Sequence, residues 1–323
     1  MLISSIAVVF ALALLVWSAD QFVEGAAIIA RKLGVSTLII GITIIGFGTS
    51  APEILISLFS VAEDTPDLAI GNALGSNIAN IGLILGATAL FIPLSFSSKL
   101  IKREFPILLG ATALMVWVLW DRSLDLYDGL LLLAYLVLAL AYLVRFARHD
   151  LGDPVESEME QEMPKDISTP RALGLTLIGL LLLVGSSKLF VWGAVNIATS
   201  LGVSELIIGL TIVALGTSLP ELAAAISGAR KGEPELVMGN VVGSNLFNSL
   251  AVIGLPAVMT DFAVSDAAIV RDLPVMLALT LLLFLMAQFP RRSRCVITRF
   301  NGLIFLLGFV LYQCYLYYQA IAA

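Results

Sequence analysis

The sequence has two cysteines and one histidine in 323 residues, and only 13% of its residues are charged. Cys295 and Cys314 cannot form a disulfide framework or a metal–thiolate site, and they stand at opposite ends of one apolar segment, too far apart to bridge along a helix. The only histidine, His149, lies in a charged stretch. No Cys/His metal cluster and no nucleophile–base pair can be assembled, which argues against an intramembrane enzyme. With so little charge and 59% hydrophobic residues, a soluble domain is excluded and a polytopic membrane protein is expected. The net charge of -6 is modest, and with the apolar composition it makes nucleic acid an unexpected partner. The first residues show no basic n-region and no small-residue cleavage site, so the first apolar segment is expected to be a retained helix.

What is present is a series of ten charge-poor runs. In the first half they fall near Met1–Ala19, Leu38–Ala62, Leu68–Ser98, Phe105–Trp120 and Gly129–Val144. In the second half they fall near Ala172–Ser204 (interrupted by Lys188), Leu206–Ala229, Leu236–Thr260, Leu273–Pro290 and Phe300–Ala323. Most match the roughly 20 residues that a bilayer requires. Basic residues concentrate in alternate connections: Arg31 and Lys32; Lys99, Lys102 and Arg103; Arg145 to Arg171; Arg230 and Lys231; Arg291 to Arg299. The opposite connections hold only Arg122 and Arg271. The positive-inside rule then places both termini outside and these five connections in the cytoplasm.

The chain repeats itself at an offset of 168 residues. Gly48-Thr49-Ser50-Ala51-Pro52-Glu53 returns as Gly216-Thr217-Ser218-Leu219-Pro220-Glu221. Gly71-Asn72-Ala73-Leu74-Gly75-Ser76-Asn77-Ile78-Ala79-Asn80 returns as Gly239-Asn240-Val241-Val242-Gly243-Ser244-Asn245-Leu246-Phe247-Asn248. Between Arg31–Glu53 and Thr199–Glu221, 15 of 23 positions are identical. Five helices per repeat is an odd number, so the second copy enters the membrane from the opposite side. The expected fold is therefore an all-α polytopic membrane protein of ten transmembrane helices in two inverted five-helix repeats, with broken helices at an ion site. Residues 1–146 and 170–323 form the repeats. Residues 147–169, rich in Asp and Glu, form a solvated cytoplasmic linker that lacks the alternating pattern of a calcium loop.

Each hexapeptide places one glutamate at membrane depth, where an acid costs roughly 2.5–3.5 kcal/mol on insertion scales. Pro removes a backbone donor and Gly tolerates unusual dihedrals, so a helix opened here frees carbonyl oxygens that must line a cavity or bind something. A hard cation fits, since Ca²⁺ takes about 6–8 oxygen ligands. Glu53 and Glu221 supply carboxylates, Thr49 and Thr217 carbonyls, and Ser50 and Ser218 hydroxyls. Ser76 with Asn80, and Ser244 with Asn248, are spaced i, i+4 and share one helix face as neutral oxygen donors. Interhelical hydrogen bonding is the other reading of these four, and close helix packing is the other reading of the glycines. Asn72, Asn77, Asn240 and Asn245 fall on other faces and are expected to bond helix backbones. Asp20 and its repeat equivalent Lys188 are expected to snorkel towards opposite interfaces.

These paired motifs, separated by an acidic loop, resemble the cation/calcium exchanger superfamily, in its prokaryotic sodium/calcium exchanger branch, over nearly the whole chain. The resemblance implies Ca²⁺ and Na⁺ as transported substrates and no cofactor. It also implies an inner-membrane location, no obligate protein partner, and first and sixth helices that slide across a core. It implies that Glu53 and Glu221 are the central carboxylates and that Thr49, Thr217, Gly46 and Ala214 donate carbonyls. Ser50 and Ser218 would be hydroxyl ligands, Ser76 and Ser244 outer sodium ligands, and Asn80 a central amide. Asn248 departs from the pattern, because many sodium-coupled relatives have aspartate there. The reading is a Na⁺/Ca²⁺ antiporter working by alternating access; Ca²⁺/H⁺ or K⁺-dependent exchange, and a cation channel, are the alternatives.

Overall fold

The computed structural model describes residues 1–63, 65–147, 168–202, 214–288, 290–291 and 294–322. Most of the expected linker and the beginning of the expected seventh span lie outside these described residues. Among the described residues, eight helices are long and apolar enough to cross a membrane. They are α1 (Leu2–Leu33), α2 (Thr37–Ala62), α3 (Leu68–Phe91), α5 (Leu126–Arg145), α6 (Thr169–Ser200), α8 (Pro234–Met259), α9 (Ala268–Ala287) and α10 (Arg299–Gln319). Between them lie α4 (Ser98–Val118), which opens on a basic turn, and α7, described as Ala214–Thr217 followed by Leu219–Arg230.

α1 is longer than its apolar run suggests. It passes Ala19 and carries Asp20, Glu24, Arg31 and Lys32 before Gly34 ends it at φ 60, a left-handed cap that glycine adopts without a Cβ penalty. The charges extend the helix because each acid meets a partner on α7 or just beyond it. Asp20 accepts a hydrogen bond from Ser227, so it does not simply snorkel.

The molecule is not entirely helical. α3 stops at Phe91, ahead of Pro93, and Leu94–Ser97 (β1) is extended, where the sequence predicts helix to Ser98. A residue before proline is driven out of the helical region, and Ile92 is extended at φ -129, ψ 107. β1 pairs antiparallel with Arg294–Ile297 (β5), which also pairs with Pro290–Arg291 (β4). Ser123–Leu124 (β2) pairs with Phe262–Ala263 (β3). β1 and β2 flank α4, so the two small sheets cap opposite ends of the molecule. At the β1 end the ion pairs Arg31–Glu233 and Lys231–Glu24 (2.9 Å) gather the connections after α1 and α7. The Ser97 N–H donates to Glu235 at 3.1 Å on the same side. Burial pushes the Glu233 carboxyl up, against the opposing pull of Arg31. At the β2 end Arg122 pairs with Asp266 at 2.5 Å.

Lipid tails are as apolar as leucine, so helices associate here through close packing and not through a hydrophobic drive. α2 crosses α8 backbone to backbone. A Cβ on Gly41 would stand 2.6 Å from the Leu236 carbonyl, and one on Gly46 would stand 3.1 Å from Gly243. Gly239 and Gly243 therefore follow the packing reading. Gly71 and Gly75 have no described atom within 4 Å of where a Cβ would sit. α8 is the central helix, with 89% of its most apolar window buried, against 28% for α1 and for α6.

Candidate functional site

Among the described residues, three π-helical turns surround the centre: Gly41–Ile45 in α2, Asn80–Leu85 in α3 and Asn248–Val252 in α8. Such turns widen the helix by one residue and cluster at functional sites. Asn80 and Asn248, equivalent across the repeat, each open one of them. Gly46 and Ala214, also equivalent, each lie seven residues before a glutamate in a helical stretch.

The two glutamate segments fold differently. In α2 the helix Gly46–Ala62 continues through Pro52, so the expected break is absent there. Pro52 offers no N–H to the Gly48 carbonyl, but one lost bond is tolerated where neighbouring groups re-satisfy the backbone. In α7 the helix is interrupted at Ser218, with φ -88 and ψ 0, and restarts at Leu219. Pro220 likewise frees the Gly216 carbonyl, and here a capping donor is present: the Ser187 hydroxyl of α6 donates to it at 2.7 Å. The repeat equivalent of Ser187 is Ala19, which has no donor. Ser187 is a residue that sequence reasoning passed over, because its role depends on where α6 packs.

Glu53, Glu221, Thr49, Ser50, Ser218, Ser244, Asn80 and Asn248 are all buried. Ser76 and Thr217 are half-buried. Thr49 is the hub. Its hydroxyl lies 3.1 Å from the Ile45 carbonyl, 3.2 Å from Asn240 Oδ1 and 3.4 Å from Ser244 Oγ. Glu221 lies close enough to interact with both Thr49 and Glu53. The two acids therefore share one polar centre although they are 168 residues apart. The second-motif amides tie the halves together: Asn80 Nδ2 donates to Asn245 Oδ1 at 2.9 Å, and Asn77 Nδ2 donates to Ser249 Oγ at 3.0 Å. Asn77 and Asn245 thus bond side chains, where backbone bonds are expected from the sequence. Asn72 follows that expectation, donating to the Glu53 carbonyl at 2.9 Å and also to Ser57.

Among the described residues, four buried oxygens of the expected ligand residues have no hydrogen-bond partner: Ser50 Oγ, Glu53 Oε2, Glu221 Oε2 and Asn248 Oδ1. Among the described residues no lysine, arginine or histidine is buried, and no three acidic, histidine or cysteine side chains gather. A buried polar atom without a partner is costly, and these are all oxygens in an acidic, cation-free centre. The chemistry they offer is coordination of a hard cation by two acids and neutral oxygens.

Membrane-spanning helices around a buried set of oxygen donors are the arrangement of an integral membrane transporter of cations. The family to which it belongs follows from comparison: the model of the sodium/calcium exchanger protein family matches residues 3–145 and 171–318, and the chain is a member of that family. It is 47% identical over 318 residues to the putative antiporter CaxA of Alkalimonas amylolytica, covering 98% of this chain and 99% of that one. It is 38% identical to the inner membrane protein YrbG of Escherichia coli (strain K12), covering 98% of each. Among solved structures, the sodium-calcium exchanger NCX_Mj soaked with Na⁺ and Ca²⁺ superposes with a TM-score of 0.82 at 31% identity, covering 96% of this chain and 97% of that one. Cation exchange across a membrane is thus the activity class of this chain.

Proposed function

We propose that the chain exchanges Ca²⁺ for Na⁺ across the inner membrane by alternating access, with Glu53 and Glu221 as carboxylates shared by the two ions. The observation that carries this is the set of four unpartnered buried oxygens, two of them carboxylate, with no buried cation among the described residues to neutralise them. The carbonyls of Gly46, Thr49, Ala214 and Thr217 and the hydroxyls of Ser218, Ser76 and Ser244, with the Asn80 amide, complete the ligand set. The names of YrbG and NCX_Mj support the location and the sodium coupling.

In this reading ten helices form two inverted repeats, 1–146 and 170–323, joined by a cytoplasmic linker, with both termini outside. Reciprocal packing supports it. Gly25 of α1 lies against Ala172 and Thr176 of α6, and Gly193 of α6 lies against Ser4 and Val8 of α1. The 168-residue offset converts one set of positions into the other, as a two-fold axis relating the halves requires. A cysteine at position 158 reacts only from the cytoplasm and one at 202 only from outside; labelling from one side would overturn the inversion.

A second reading, exchange against H⁺ or K⁺, is favoured by Asn248, a neutral residue where the resemblance leads one to expect an acid. Purified protein in liposomes with Na⁺, K⁺ and H⁺ gradients imposed one at a time separates the two. Ca²⁺ uptake driven by Na⁺ alone supports the first; uptake that needs the H⁺ or K⁺ gradient replaces it with the second.

A further inference from the structure

α1 and α7 meet along a seam that begins beside Glu221 and runs to the end of the molecule where Arg31 and Lys231 lie. A cavity of about 130 Å³ occupies it, with Leu15, Ala223 and Ile226 among its walls and Asp20 and Ser227 at its lower part. Below the cavity the seam is closed by polar contacts in register. Ser227 donates to Asp20, and one turn further on Lys231 donates to Glu24 at 2.9 Å. Both pairs are 207 residues apart, so the two helices run parallel and fasten turn by turn. Arg31 then pairs with Glu233 just beyond α7.

Among the described residues, the opposite seam, between α6 and α2, has no such set. Shifting each partner by 168 residues gives Lys188 with Phe59, Trp192 with Glu63, and Thr199 with Thr65. None of these is an ion pair. The asymmetry is not required by the repeat, whose fold would serve with either seam fastened.

We propose that Asp20–Ser227, Glu24–Lys231 and Arg31–Glu233 form a latch that holds the α1–α7 seam shut on one face, so that the ion-free protein rests open towards the other. This rests on the alternating-access reading above, in which α1 moves against the core. Opening the latched seam requires separating charged partners, whereas opening the other does not, and a difference between the two states biases their populations directly.

The test uses full-length protein with Cys295→Ser and Cys314→Ser, a single reporter Ala223→Cys in the cavity wall, and everted membrane vesicles without ion gradients. The rate of modification by a membrane-impermeant cationic methanethiosulfonate is measured from the face bearing Lys231. Glu24 and Lys231 are partly exposed, so variants there leave the packed core intact. Lys231→Glu and Glu24→Lys should each raise the rate by about 3-fold, within the range that a partly exposed ion pair supports. The double charge swap should return it to near the starting value. Unchanged or lowered rates in the single variants, or a swap as fast as either single variant, would overturn the latch. Ca²⁺ exchange is assayed separately in the same vesicles. A reporter pattern as expected with no Na⁺-driven exchange sinks the functional reading and leaves the latch, and the converse sinks only the latch.

Discussion

The α1–α6 pair is built from more apolar sequence than α2, α3 and α8 of the core, and the two regions are packed differently. α1 and α6 are each 32 residues long and mostly lipid-facing, and they touch each other through glycines and small side chains. α8 is almost wholly buried, its backbone pressed on α2 at Gly239 and Gly243, and its amides bridge to α3. In the exchange proposed above, a helix that slides needs a smooth, weakly bound face. A helix that must hold an ion at fixed geometry needs close backbone approach and satisfied amides, since coordination depends on ligands placed to within a fraction of an ångström. The contrast places the polar centre on the closely packed part, which α1 meets through polar side chains at one end and α6 meets through Ser187.

The sharpest way to break this contrast is at the acids. Glu53→Gln or Glu221→Gln should abolish Ca²⁺ uptake in liposomes, because one remaining carboxylate does not neutralise a desolvated divalent ion. Near-normal uptake by either folded variant would remove the core's claim to be the site. Next in size is packing. Gly239→Val puts a side chain into the Leu38 carbonyl and should destabilise the detergent-solubilised protein by about 1–3 kcal/mol or prevent its folding. A Cβ at Gly185 in α6 meets no described atom within 4 Å, so Gly185→Ala should not lower thermal stability. Equal shifts for the two would show that core and periphery are packed alike.

A smaller effect is expected at Asn248. With two central carboxylates, one Ca²⁺, two Na⁺ or two protons leave the loaded site neutral, and a neutral site crosses a low-dielectric barrier at least cost. Wild-type exchange should therefore depend weakly on voltage, and Asn248→Asp should change Na⁺ or pH dependence more than Ca²⁺ selectivity. Initial Ca²⁺ flux at several clamped potentials measures this; a steep wild-type voltage dependence that the substitution does not alter would rule out the charge count. The smallest effect is at Ser187→Ala, which removes the donor to the Gly216 carbonyl. Leaving a buried acceptor unpaired costs about 1–3 kcal/mol at most sites. Here a modest fall in melting temperature is expected, with exchange at saturating Ca²⁺ kept to within a few-fold. A collapse of exchange would mean that the bond joining α6 to the core sets the site's geometry.

The sequence by itself determined the membrane class, most of the helices and the two glutamates. These signals are local: apolar runs long enough for a bilayer, and acids in a place where acids are expensive. It also exposed the 168-residue repeat, because duplicated function keeps duplicated residues. It did not reveal that α2 stays helical through Pro52 while α7 breaks at Ser218, since the two hexapeptides are nearly the same and only their neighbours differ. Nor could it place Ser187 on Gly216, pair Asn77 with Ser249, or join β1 to β5. Each of these unites residues from distant parts of the chain, and none has a periodicity or spacing to announce it. Burial was also undecided, since α1 and α8 are both long and predominantly apolar and only packing chose which would be enclosed. The tertiary structure decided those matters because a hydrogen bond or a backbone crossing depends on where two helices meet, and that position is a property of the whole fold.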